Sequence, residues 1–143
     1  ELRERKDRVD DALHATRAAI SEGIVPGGGV SLVRASSRIP SEKNLPGFSV
    51  VKSACEEPLK QIVRNAGGTP ELVLEKVKCL ERTEGYDAYL DNFGDMFEMG
   101  IIDPTKVVKA AIENAAAAAS MLLTVGCAMV SDEEDLVGGH INF

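Results

Sequence analysis

The chain has 143 residues, enough for one domain with a real core. Hydrophobic residues make up 44% and charged residues 27%, which excludes an intrinsically disordered chain. Lys+Arg number 16 against 23 Asp+Glu, a net charge of −7, and Trp is absent, which argues against a nucleic-acid binder built on basic surface and stacking aromatics.

Glu1 to Glu22 reads as one helix, with Val9, Leu13, Thr16 and Ile20 forming a stripe at helical spacing. Glu1/Arg5 and Glu4/Arg8 are i,i+4 pairs in the favourable order. Gly23 is the expected C-cap. Pro26-Gly27-Gly28-Gly29 reads as a tight loop, and a second helix follows from Val30 to about Arg38. Ile39 to Gly47, with Pro40, Asn44 and Pro46, reads as a surface loop. Phe48 to Ala66 has a helical pattern, with Val51, Cys55, Leu59, Ile62, Val63 and Ala66 inward. Pro58 lies inside it, which predicts a break with Pro58 in the first turn of a new helix. Gly67-Gly68 ends that helix, and Pro70 to Leu80 forms another.

From Gly85 to Gly100 the period changes. Tyr86, Ala88 and Leu90 alternate, and Phe93, Gly94 and Phe97 point to a short β-hairpin or irregular turn. Asp103-Pro104-Thr105 reads as a helix start, with Asp103 as N-cap and Pro104 at N1. The helix to about Thr124 carries alanines around its whole cylinder, which predicts close neighbours on several sides. Cys127 to Val130 reads as a short strand, and the tail from about Ser131 as loose. The fold class is therefore mainly α, a multihelical bundle with one or two short β-hairpin or strand elements.

Candidate chemistry is sparse. Cys55, Cys79 and Cys127 are odd in number and far apart, and only His14 and His140 could join them, so neither a zinc site nor a disulfide framework is expected. The cysteines read as small core hydrophobes. A reducing compartment follows. No signal-peptide pattern opens the chain. The longest uncharged run, Ala115 to Val130, is shorter than the roughly 20 residues of a membrane span.

Gly27-Gly28-Gly29 before a helix is either an anion or nucleotide contact or a turn needing positive φ. It is neither a Walker A loop nor a G-x-G-x-x-G. Asp11 lies opposite the Val9/Leu13/Ile20 stripe, with Asp7 and His14 on the same polar face. That face is either solvated or presents a carboxylate to a water or cation. Asp103 could cap a helix and face a pocket at once.

Four ordered stretches then resemble one family. They are Asp10 to Ala19 with Glu22-Gly23-Ile24-Val25-Pro26-Gly27-Gly28-Gly29; Glu57-Pro58-Leu59-Lys60-Gln61-Ile62-Val63-Arg64-Asn65-Ala66-Gly67; Gly85-Tyr86-Asp87-Ala88; and Met99-Gly100-Ile101-Ile102-Asp103-Pro104-Thr105-Lys106-Val107. The chain is similar over Glu1 to about Val130 to the group I chaperonins, the GroEL type. The resemblance implies the C-terminal portion of a subunit. Residues 1–22 would be the returning intermediate-domain helix, and residues 23–143 the C-terminal half of the equatorial, ATP-binding domain.

The resemblance also implies roles. Asp11 would position the water that attacks ATP. Gly28 would contact nucleotide near the ribose. Asp87, Ala88 and Tyr89 would lie beside adenine, Ile101 would pack on the base, and Asp103 would accept from the ribose hydroxyls. Mg²⁺ and the triphosphate would be held by elements outside this chain, so the chain alone is expected to turn over no ATP. No metal ligand is expected within it. Partners would be a homo-oligomeric ring, unfolded client proteins and a co-chaperonin, with no nucleic acid and no membrane. The location would be the bacterial cytoplasm, with the mitochondrial matrix or a plastid as alternatives.

This sequence departs from the family pattern at several places. Asp87 stands where many relatives have Asn, and Tyr89 replaces a small residue, which predicts crowding of the base pocket. Lys60 and Thr69 replace an Arg and an acidic residue that pair between rings. Gly126 replaces a charged residue, and a Gly-Met-rich tail is missing. These departures keep a second reading open, a divergent or truncated chaperonin segment serving assembly without ATP turnover.

Overall fold

The computed structural model describes residues 2–40, 46–127 and 129. In chain order it contains α1 (Leu2–Glu22), β1 (Ile24–Pro26), α2 (Val30–Ser36), α3 (Pro46–Asn65), α4 (Pro70–Cys79), β2 (Glu84–Asp87), β3 (Asn92–Asp95), β4 (Ile102–Pro104) and α5 (Thr105–Thr124). The chain divides into two units, Glu1–Ala110 and Ala111–Phe143. The fold is mainly helical, as expected, with two small antiparallel strand pairs, β1–β4 and β2–β3.

The core of the first unit gathers Val30 and Val33 of α2, Leu59 and Val63 of α3, Leu74 and Val77 of α4, Tyr86 of β2, and Met96. Each helix contributes a pair three or four residues apart, the spacing that puts two side chains on one face. The β2–β3 hairpin closes this core. Tyr86 faces Phe93 across the ladder, with ring centroids 5.0 Å apart. Lys76 Nζ lies 3.7 Å from the centroid of Phe93, a cation–π contact that joins α4 to the hairpin. The Tyr86 hydroxyl donates to Asp91 Oδ1 at 2.8 Å, and Asp91 turns the hairpin at φ 51°.

Several expectations need correction. Helix α3 is continuous through Pro58. The missing N–H orphans the Ala54 carbonyl, but both residues are exposed, so water can satisfy it. Val51 and Ile62 are exposed and Ala66 with them; the buried line is Glu56, Leu59 and Val63. Glu56 is tolerated there because Lys78 of α4 reaches its carboxylate at 3.1 Å. Cys79 and Cys127 are exposed and Cys55 half-buried, so the cysteines are not core residues.

The stripe on α1 is uncovered, with Val9 at 67% and Ile20 at 81% exposure. The helix is fastened at its C-terminal end. There Gly23 adopts φ 80° and its N–H donates to the Ala19 carbonyl, and Glu22 pairs with Lys109 at 2.7 Å. None of the residues of α5 is buried, contrary to the expected packing on several sides. By length and composition α5 would suit a membrane span, a property the shorter uncharged run did not disclose. It carries Lys106, Lys109 and Glu113, however, and its start is tied to Gly23 and Glu22.

Asp103 and Pro104 do not open α5. Both belong to β4, where Asp103 pairs with Val25 and Pro104 with Ile24, and the helix begins at Thr105. The ladder claims the Asp103 backbone before a cap can form, and the Thr105 N–H donates instead to the Gly23 carbonyl at 3.0 Å. Strands β1 and β4 themselves were not anticipated. The strand expected at 127–130 falls largely outside the described residues, as does the tail from 131; Cys127 and Met129 are not in a strand.

Candidate functional site

The glycine loop between β1 and α2 is held from three sides. The Gly27 N–H donates to the Ile101 carbonyl at 2.9 Å, and a Cβ on Gly27 would stand 3.1 Å from that carbonyl carbon. Gly28 takes φ 62° and Gly29 φ 79°, the left-handed region that glycine enters without cost. Gly29 lies directly on α3, where a Cβ would come within 2.7 Å of the Leu59 nitrogen. The loop is thus a built surface and not a slack connection, although the turn reading of its positive φ also holds.

Around Gly28 the structure brings together parts far apart in sequence. A Cβ there would meet Met96 Cε at 3.4 Å, the Tyr86 carbonyl oxygen at 3.8 Å and Ile101 Cγ2 at 4.0 Å. Ile101 is half-buried against the core, and so is Ala88. Asp103 sits two residues beyond Ile101, across the ladder from Val25. Gly28, Ile101 and Asp103 therefore share one corner of the fold, where β1 and β4 meet the loop. The sequence reading missed Met96 and the Tyr86 carbonyl as neighbours of Gly28. The hairpin alternation placed Tyr86 on a strand, but nothing local tied either residue to the glycines.

Asp103 carries the distinctive chemistry. It is half-buried, and among the described residues its carboxylate has no hydrogen-bond or ion-pair partner. Burial alone pushes its carboxyl above the usual carboxylate range. The folded chain thus holds a proton on Asp103 more readily than the unfolded chain does. Stability then falls as pH rises from the ordinary value near 3.8 through the raised one, and the deficit is complete above it. Asp103→Asn should therefore stabilise the chain at pH 7 and give no gain at pH 3. Urea unfolding at the two pH values checks this; an equal effect at both would mean that ionisation is not the cause.

At the tip of the hairpin, Asp87 Oδ1 accepts from the Tyr89 N–H at 2.8 Å and the Leu90 N–H at 3.3 Å. Asp87 thereby shapes its own turn, as an Asn side-chain oxygen would. Tyr89 is 93% exposed, so its ring crowds nothing within the described chain. Asp11 lies apart from this corner, exposed on α1 with no side-chain partner among the described residues. Lys60, which replaces an Arg of the family pattern, pairs within its own helix with Glu57 at 3.3 Å. No group of three or more metal-ligating side chains occurs among the described residues.

The corner matches the part that the ordered motifs assign to it, and comparison with known families agrees. A model of the TCP-1/cpn60 chaperonin family matches residues 1–133, nearly the whole sequence, and the chain belongs to that family.

Proposed function

We propose that this chain supplies the ribose and base side of an ATP site in a group I ring chaperonin, together with the aspartate that positions the attacking water. Membership of the family supports a chaperonin role in protein folding, with ring oligomers and client proteins as its general setting. The finer reading rests on one observation above all, the partnerless and desolvated carboxylate of Asp103 beside the glycine loop. A carboxylate kept so at a cost to stability is what a site for hydroxyl donors requires.

The residues present fit such a ligand. Asp103 would accept from ribose hydroxyls. Gly28, lacking a Cβ, would let the ligand approach the backbone, and Ile101 would offer the base an apolar face. Ala88 and Tyr89 would flank it, and Asp87 would accept from an adenine amino group. ATP would supply the phosphoryl group; Mg²⁺ and the triphosphate would be held outside this chain. The uncovered stripe of α1 and the unburied α5 fit a chain whose apolar surfaces meet other parts of an assembly.

Asp103→Ala in the assembled chaperonin tests this reading. Hydrogen bonds to a charged group contribute about 1.5–3 kcal/mol, so ATP affinity should fall at least about tenfold while assembly is unchanged. Equilibrium binding of a non-hydrolysable ATP analogue measures it. Unchanged affinity with intact rings would overturn the assignment.

A further inference from the structure

We propose that the cleft between β1 and α2 takes an acidic, extended peptide segment that pairs with the free edge of β1. This site is separate from the corner at Gly28, and the proposal does not depend on nucleotide binding. The cleft is open, about 780 Å³, and lined in part by Ile24, Pro26, Ser31, Arg34, Arg38 and Arg82. Three arginines converge here in a chain whose net charge is −7. Arg34 is fixed, because its Nη2 donates to the carbonyls of Glu81 and Glu84. Its Nε is buried without a partner, and so is Ser31 Oγ. Arg38 and Arg82 are exposed, and neither has an acidic partner among the described residues. The nearby Glu84 carboxylate is turned onto its own loop, where Oε2 accepts from the Glu81 N–H at 3.0 Å. Guanidinium groups with unused donors recognise carboxylates by charge and by paired hydrogen bonds.

The backbone of β1 determines the shape of the ligand. The Thr105 N–H donates to Gly23, Val25 faces Asp103, and the Gly27 N–H donates to Ile101. Residues 23, 25 and 27 thus aim their backbone groups at β4. Ile24 and Pro26, between them, aim theirs the other way. The sheet has two strands only, so that second edge is unpaired. It offers the Ile24 N–H and two carbonyls, at Ile24 and Pro26, to an added strand. Phe97 and the β1 side chains give the cleft an apolar wall, and its volume exceeds what a lone inorganic anion fills. Acidic side chains at the arginines and main-chain pairing at β1 meet in an extended segment that alternates acidic and apolar residues.

The test uses the full chain and a fluorescein-labelled hexapeptide of alternating Glu and Val, read by anisotropy. The Glu-Val peptide should bind, and its Lys-Val counterpart should not. The double variant Arg38→Glu/Arg82→Glu alters two exposed side chains and should keep the fold, checked by circular dichroism. It should weaken binding at least about tenfold, the factor of a single 1.4 kcal/mol contact. N-methylation of the Val residues, which removes the N–H donors but no charge, should weaken it likewise. Absence of Glu-Val binding at millimolar peptide, or equal binding of the Lys-Val peptide, overturns the proposal. So does an unaffected double variant or N-methylated peptide. Displacement by inorganic phosphate at equal concentration would show a small-anion site in place of a peptide groove.

Discussion

Gly29→Ala should destabilise the chain by about 3 kcal/mol or more. The two contributions are separate. Gly29 holds φ 79°, and a non-glycine residue kept in that region costs about 1–3 kcal/mol. The new Cβ would also lie 2.7 Å from the Leu59 nitrogen and 3.1 Å from its Cα. Those atoms belong to the backbone of α3 and cannot rotate away, so overpacking adds about 1–3 kcal/mol. Gly100→Ala is the matched control, with φ 71° and open space where its Cβ would stand. It should cost only the conformational part, about 1–2 kcal/mol. Urea unfolding of both variants separates the two contributions. Equal losses would show that the seat of the loop on α3 does not constrain it. A larger loss at Gly29 would show that the Gly28 corner is positioned by α3 as well as by β4.

The sequence disclosed elements whose signal is local. The hairpin was legible because Tyr86 and Phe93 fall on alternating positions around a short turn, and α4 because Pro70 opens it and apolar residues recur along it. Strands β1 and β4 were not legible. Each has three residues, no alternation develops over so short a span, and the partners lie far apart in the chain. Pro58 misled for a related reason: a proline breaks a helix only when its orphaned carbonyl cannot reach water. On α1 and α5 the apolar faces were read correctly as apolar. Sequence does not say what covers them, and no residue of α5 is buried within this chain.

For the candidate site, residue types alone carried little. A glycine triplet and an isolated aspartate are common, and both retained ordinary readings. The resemblance singled out Gly28, Ile101 and Asp103, and the geometry then gave them one location. The structure added the physical reason that Asp103 differs from a surface carboxylate: it is desolvated and unpartnered. The turn role of Asp87 and the outward ring of Tyr89 were beyond sequence, since both depend on how the hairpin tip closes.

Asp11→Ala, placed in the assembled chaperonin, should slow ATP turnover at least about tenfold, a loss of about 1.4 kcal/mol or more in the barrier, with nucleotide affinity nearly unchanged. The side chain has no structural duty to lose. It is exposed on α1 and has no partner among the described residues. Replacing such a residue ordinarily shifts stability by within about ±0.5 kcal/mol. Its proposed duty arises only with the attacking water, an interaction made mainly in the transition state, so kcat should fall and binding should not. The attachment of α1 suits that division. The helix ends at Gly23, whose φ of 80° and open surroundings let the backbone pivot, while the Glu22–Lys109 pair ties its last turn to the start of α5. Single-turnover hydrolysis and equilibrium binding on the same variant decide the matter. Unchanged hydrolysis would return Asp11 to a solvated acidic face beside Asp7 and His14. Lost binding with unchanged chemistry would place it on the nucleotide instead of on the water.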